Sequence, residues 1–125
     1  MRRAWMGLAI GITLAALLPF VGGPFAGEVV SDFKAKPLYR AVELSWKVER
    51  PSDGFKAFVL LRSDDLEGTY TPIATIPFDP QKTIYRYLDK EMGPGDLFYY
   101  KLKVEGVEET HGPVSAQAHF FPPAT

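Results

Sequence analysis

Cysteine and asparagine are both missing from this 125-residue chain, and histidine occurs only twice. The lack of cysteine excludes disulfide staples, thiol nucleophiles and thiolate ligands, so the folded part must be held by its core alone. The lack of asparagine excludes N-glycosylation sequons. An excess of positive charge is missing too. The chain has 14 Lys and Arg against 15 Asp and Glu, and because Arg2 and Arg3 stand at the extreme N-terminus, setting them aside takes the formal charge from −1 to −3. That balance argues against a phosphate-binding surface and against nucleic acid as a partner. No internal repeat or low-complexity block follows Glu28, and no helical period appears there.

What is present at the start is a basic flank, Arg2 and Arg3, followed by an uncharged stretch over residues 4–27. Basic flank, apolar run and small residues are the layout of a secretory signal, with Pro19, Gly22, Gly23 and Pro24 ending the helical part and Ala26 the best cleavage point. The alternative is an uncleaved anchor, since the same run is long enough to cross a bilayer with Arg2 and Arg3 kept inside. Gly7 and Gly11 would then form a small-residue pair suited to helix contact. Either way the remainder is expected outside the cytoplasm, as a secreted, periplasmic or surface domain or one held at the inner membrane. The expected organisation is a signal peptide or anchor over 1–26, one domain over 28–121 and an extended tail over 122–125.

Seven short segments bounded by turn residues fill that domain. Val42, Leu44, Trp46 and Val48 alternate with Glu43, Ser45, Lys47 and Glu49, the mark of a strand with one face in a core. Phe98, Tyr100, Leu102 and Val104 repeat the pattern after Met92 and the Pro94-Gly95 corner. The expected strands are 30–35, stopped by Pro37; 41–49, ended by Pro51-Ser52-Asp53-Gly54; 55–62; 70–76, marked as an edge by Pro72; 83–88; 97–105; and 113–121. Strands at this spacing indicate an all-β sandwich of two sheets.

These landmarks resemble a fibronectin type III domain of the kind found in bacterial exported proteins. Trp46 is similar to the family's second-strand tryptophan. Arg62-Ser63 followed by Gly68, Tyr70, Ile73 and Ala74 is similar to its third-to-fourth strand signature. Tyr87, Met92, Pro94-Gly95, Phe98 and Tyr100 follow its fifth-to-sixth strand pattern. The resemblance implies a seven-stranded immunoglobulin-like sandwich that holds, spaces or recognises rather than catalyses. Phe98 stands where the family has its corner tyrosine, so a hydroxyl tie worth about 1 kcal/mol is expected to be lost.

Chemistry-bearing residues are sparse. A Ser-His-acid arrangement would have to be drawn from Ser63 or Ser115 and from His111, expected in a loop over 105–111, or His119, expected on the last strand. No catalytic role, metal or cofactor is expected. Asp64, Asp65 and Glu67 offer hard oxygen ligands but lack EF-hand spacing, and a solvated acidic turn is the simpler reading. Glu108 and Glu109 beside His111 read as a charged hairpin tip. The aromatics would suit glycan platforms only if exposed, and most fall on inward positions.

One arrangement does point to a partner. If Phe58, Leu60, Phe98, Tyr100 and Leu102 face inward, then Val59, Leu61 and Tyr99 project outward from neighbouring strands, where they form either a protein-contact face or scattered surface hydrophobes. The expected function is therefore a non-enzymatic exported binding or structural module with an unidentified protein partner. The alternatives are a membrane-anchored accessory subunit, held through residues 4–27, and an accessory carbohydrate-binding domain.

Overall fold

Apolar side chains that recur at every second position can be buried only if the chain is extended and paired, and the chain solves this with seven antiparallel strands. The computed structural model describes residues 28–50 and 55–121. The expected leader and its Gly7 and Gly11 pair, the turn over 51–54 and the tail over 122–125 lie outside the described residues. The strands are β1 (Val30–Leu38), β2 (Ala41–Val48), β3 (Ala57–Ser63), β4 (Thr71–Pro77), β5 (Ile84–Asp89), β6 (Leu97–Glu105) and β7 (Glu109–Gln117). They form a three-stranded sheet in the order β1-β2-β5 and a four-stranded sheet in the order β4-β3-β6-β7. Among the described residues there is no helix.

The inner faces meet around aromatic rings. Trp46 on β2 is paired across the ladder with Tyr85 on β5, and their rings stack at 5.7 Å with planes only 6° apart. Phe58 of the other sheet points its edge at both, 5.3 Å from Trp46 and 4.8 Å from Tyr85. Leu44, Leu60, Tyr100, Leu102 and Val104 complete a centre with no exposed surface. Edge-to-face and offset pairs of this kind add about 0.5–1.5 kcal/mol each beyond area burial.

Element boundaries depart from the periodic reading where the edges behave differently from the centre. β1 runs on through Pro37 to Leu38, because an edge strand has alternate N–H groups pointing away from the ladder and a proline there costs little. β1 also carries a bulge between Ser31 and Lys34, where Asp32 has a φ of 59°. β7 starts at Glu109, well before the expected 113, since a three-residue turn through Gly106 closes the hairpin. His111 is therefore on a strand and not in a loop. His119 lies past β7 and makes a parallel bridge with Tyr39. Gly112 is required in this hairpin: its φ is +100°, and a Cβ there would sit 2.6 Å from the carbonyl oxygen of Tyr100.

Two polar ties supplement the core. Asp89, 2% exposed, accepts two bonds from Arg62 Nη1 at 3.2 and 2.9 Å and one from the Tyr100 hydroxyl at 2.8 Å. Arg62 also donates to the Glu91 carbonyl at 2.9 Å, and its guanidinium lies 4.1 Å over the Phe98 ring. The tyrosine hydroxyl of this stretch is thus that of Tyr100, which bonds a side-chain carboxylate, while Phe98 supplies a platform for the arginine. Burial first, and then the bond to the Asp89 carboxylate, push the Tyr100 phenol well above its ordinary value.

The second tie is at Glu109. Its two carboxylate oxygens each accept a backbone N–H of β1's start, from Val29 and Val30, both at 2.9 Å. The His111 ring bonds the same carboxylate at 2.6 Å. Glu109 and His111 side chains are only 11% and 15% exposed, so the expected solvated hairpin tip is instead a clamp, and only Glu108 fits the earlier description. Burial alone would raise the Glu109 carboxyl, but the His111 ring and the two N–H groups outweigh it and hold its pKa below the usual glutamate value.

A carboxyl whose pKa is depressed on folding contributes stability that is present above the unfolded value and is lost as pH falls through the folded one. Glu109→Ala is expected to cost about 2 kcal/mol at neutral pH, with amide exchange accelerating most at Val29 and Val30. The same variant should flatten the loss of melting temperature that the parent shows as pH is lowered below about 4.5. In the other tie, Tyr100→Phe is expected to cost about 1.5–3 kcal/mol in urea unfolding. Asp89→Ala should cost more, because it leaves Arg62 without its counter-charge.

Candidate interaction surfaces

Inner and outer positions on β3 are set by its partners. Phe58 and Leu60 are fully buried, whereas Val59 and Leu61 between them are half-buried on the opposite face. Val59 lies between Thr75 of β4 and Lys103 of β6, and Leu61 between Pro72 and Lys101. Tyr99 lies between Ser63 of β3 and Ser115 of β7, diagonal to Leu61 on the same face. The three expected contact residues are thus gathered on the outside of the two central strands. Their neighbours cover them in part: the Lys101 ammonium sits 4.3 Å over the Tyr70 ring, and long lysine stems lie along apolar surface while their charges stay in water.

More apolar surface is exposed elsewhere. At one end of the sandwich a cleft of about 630 Å³ is lined by Tyr39, Pro94, Gly95, Phe120, Phe121 and the stretch 117–119. Tyr39 is 50% and Phe121 87% exposed. The cleft exists because the chain leaving β7 is pinned beside β1: Arg40 N–H donates to His119 O at 2.7 Å and His119 N–H to Leu38 O at 2.9 Å. Arg40, with a φ of 60°, holds its guanidinium 5.9 Å from the Tyr39 ring and 5.1 Å from that of Phe120. Pro94-Gly95 forms the opposite lip, with Gly95 at a φ of +85°. Phe120 and Phe121 are expected at the end of a last strand over 113–121, but β7 ends at Gln117 and both rings lie past it. Two adjacent aromatics past the last strand were the available signal, but their partner Tyr39 is remote in sequence.

The residues considered for chemistry are engaged locally. The Ser63 hydroxyl donates to Asp65 O at 2.7 Å and accepts the Asp65 N–H at 3.1 Å. Asp65 Oδ1 accepts the Glu67 N–H at 3.2 Å, which folds the acidic stretch into a turn. Among the described residues, His, Asp and Glu side chains do not gather in a group of three or more that would hold a metal ion. The fold landmarks fall into place differently from one another: Trp46 and Tyr100 are core, Tyr87 and Phe98 half-buried, Pro94 and Gly95 an exposed corner.

No family model matches this chain, and no curated protein matches it. Among solved structures it is similar to an Fn3-like protein from Clostridium thermocellum, at 19% identity over 75% of this chain and 93% of that one, with a TM-score of 0.46.

Because Leu61 and Leu60 are neighbours in sequence on opposite faces, charged substitutions should separate them sharply. Leu61→Lys is expected to change unfolding free energy by no more than about 1 kcal/mol, whereas Leu60→Lys should abolish cooperative unfolding. Equal damage at both positions in thermal melts would contradict the register.

Proposed function

We propose that this chain is an exported, non-enzymatic fibronectin type III-like module of bacterial type that makes protein–protein contacts in the cell envelope or outside the cell. The observation that carries this reading is the outer face of β3 and β6. There Val59 and Leu61 of β3 lie directly opposite Lys103 and Lys101 of β6, and Tyr99 of β6 lies diagonal to Leu61. Central strands are paired on both sides, so a patch built on them is held rigidly and loses little entropy when a partner is bound. An aromatic and two branched aliphatics, flanked by two lysines and by Thr75, Ser63 and Ser115, have the composition of an interface centre. The basic flank and uncharged run of residues 1–27 support delivery out of the cytoplasm.

A second reading, the membrane-anchored accessory subunit, is favoured by the Glu109 clamp. It fixes Val29 and Val30 two residues after the uncharged run, so a retained anchor would enter the sandwich at a fixed point without a linker. Purification of the native protein from soluble and membrane fractions, with intact mass and identification of what co-purifies, separates the two. A soluble species lacking about 26 residues supports the free module; a full-length species in the membrane supports the subunit. In either case the double variant Leu61→Glu, Tyr99→Lys is expected to lose the co-purifying protein at least tenfold while keeping its melting temperature. Undiminished capture by that variant would remove the outer face from the account.

A further inference from the structure

Four strand edges bound the two sheets, and three of them are closed. On β4, Pro72 and Pro77 remove ladder donors, and the register shifts beside Leu61. The β1 and β7 edges face each other. They are tied by the Tyr39–His119 bridge and its flanking backbone bonds and by Glu109 on Val29 and Val30, and β1 is further interrupted by its bulge and Pro37. Prolines, bulges and covering contacts are the devices by which sheets protect their edges.

The edge of β5 has none of them. Ile84–Asp89 contains no proline and no register shift against β2. The Val48 N–H donates to Thr83 O at 2.8 Å, which makes Val48 and Thr83 a hydrogen-bonded pair. By the alternation of an antiparallel ladder, Tyr85, Tyr87 and Asp89 also turn their backbone groups toward β2, and Ile84, Arg86 and Leu88 turn theirs away. Among the described residues no strand takes those groups up. The same three side chains stand exposed on the outer face of the sheet, Ile84 at 46% and Leu88 at 42%. Arg86 between them is held only by a loose 3.9 Å contact with Glu43.

We propose that the free edge of β5 is a docking site for an extended partner segment that adds a fourth strand to the smaller sheet, with an Asp or Glu opposite Arg86 and apolar side chains opposite Ile84 and Leu88. Backbone pairing supplies affinity in such strand addition, and alternate side chains supply specificity. Charge selects the occupant. The outer face of β1, β2 and β5 carries Lys34, Lys36, Lys47 and Arg86 against Asp32, Glu43 and, just past β2, Glu49; Lys34 and Lys47 contact Asp32 and Glu49 at 3.6 and 3.9 Å, and the face keeps a small positive excess on a chain that is otherwise acidic. A second copy of this chain fits poorly, because the two-fold antiparallel register that uses all three free residues sets Arg86 opposite Arg86, and like charges directly across a ladder repel. This site lies on the smaller sheet and does not depend on the contact face of β3 and β6.

The test uses the full-length chain in mild detergent with the capped peptide Thr-Val-Thr-Glu-Thr-Val-Thr. Binding should slow amide exchange at Ile84, Arg86 and Leu88 at least tenfold at saturation. The lysine-centred peptide should bind at least tenfold more weakly, and methylating the backbone nitrogen of the peptide's Glu should abolish binding without any change to the protein. Arg86→Glu, on an exposed position, should reverse the preference between the acidic and basic peptides. Unchanged exchange at those three amides with millimolar peptide, or equal binding of the methylated peptide, overturns the proposal. Self-association of the unliganded protein that protects the same amides overturns it in favour of a second copy.

Discussion

Trp46, Tyr85 and Phe58 fix the separation of the two sheets, and most other features follow from where they sit. Trp46 and Tyr85 are opposite each other on adjacent strands, so their stacking belongs to the β2–β5 ladder as well as to the core. Phe58 reaches them from the facing sheet, so the same rings join the sheets to each other. A chain without cysteine has no covalent substitute for this contact. Phe55 and Phe78 extend the cluster, with Phe55 5.0 Å from Phe58 and 4.3 Å from Phe78. The Tyr85 hydroxyl remains satisfied by accepting the Asp79 N–H and donating to its carbonyl. Trp46 differs: its buried indole N–H has no hydrogen-bond partner, a cost of about 1–3 kcal/mol that its ring contacts must outweigh.

The two polar ties act toward opposite ends of β2. Asp89 is paired with Val42 at one end, while Val30, held by Glu109, is paired with Val48 at the other. Each tie crosses between sheets, and each uses a carboxylate whose oxygens are taken up by several donors. A buried or half-buried charge is tolerable when its lone pairs are engaged in this way. The Asp89 site adds the Phe98 ring beneath the Arg62 guanidinium, so this half-buried phenylalanine has a partner of its own. The Glu109 site anchors the first residues of the sandwich, Val29 and Val30, whose side chains are already buried in the core.

Surface and edge are treated unequally. The larger sheet covers its outer apolar positions only in part and blocks its β4 edge with prolines. The smaller sheet leaves both backbone and side chains of β5 open along one row. Since an open edge is a hazard for any soluble sandwich, its retention beside three protected edges gives that row more weight than its size alone would.

The period-two alternation around Trp46 and from Phe98 to Val104 marks two central strands and their core faces, the turn residues mark the other five, and only the last, expected at 113–121, is displaced by several residues. Local chemistry carries that information, because the period of burial is a property of consecutive residues. The length of the β6–β7 hairpin was not legible, and with it went the roles of Glu109 and His111, which read as a charged tip until the turn is known to be three residues long. Asp89 gave no signal at all: it is one acidic residue at a strand end, and its partners Arg62 and Tyr100 are 27 and 11 residues away. The cleft around Phe120 and the open edge of β5 likewise needed the neighbours of each strand. Sequence by itself determined the rhythm in which apolar residues are buried on the central strands. Only tertiary structure decided which buried polar groups meet and which edge stays open, because those depend on strand order and register between segments far apart in the chain.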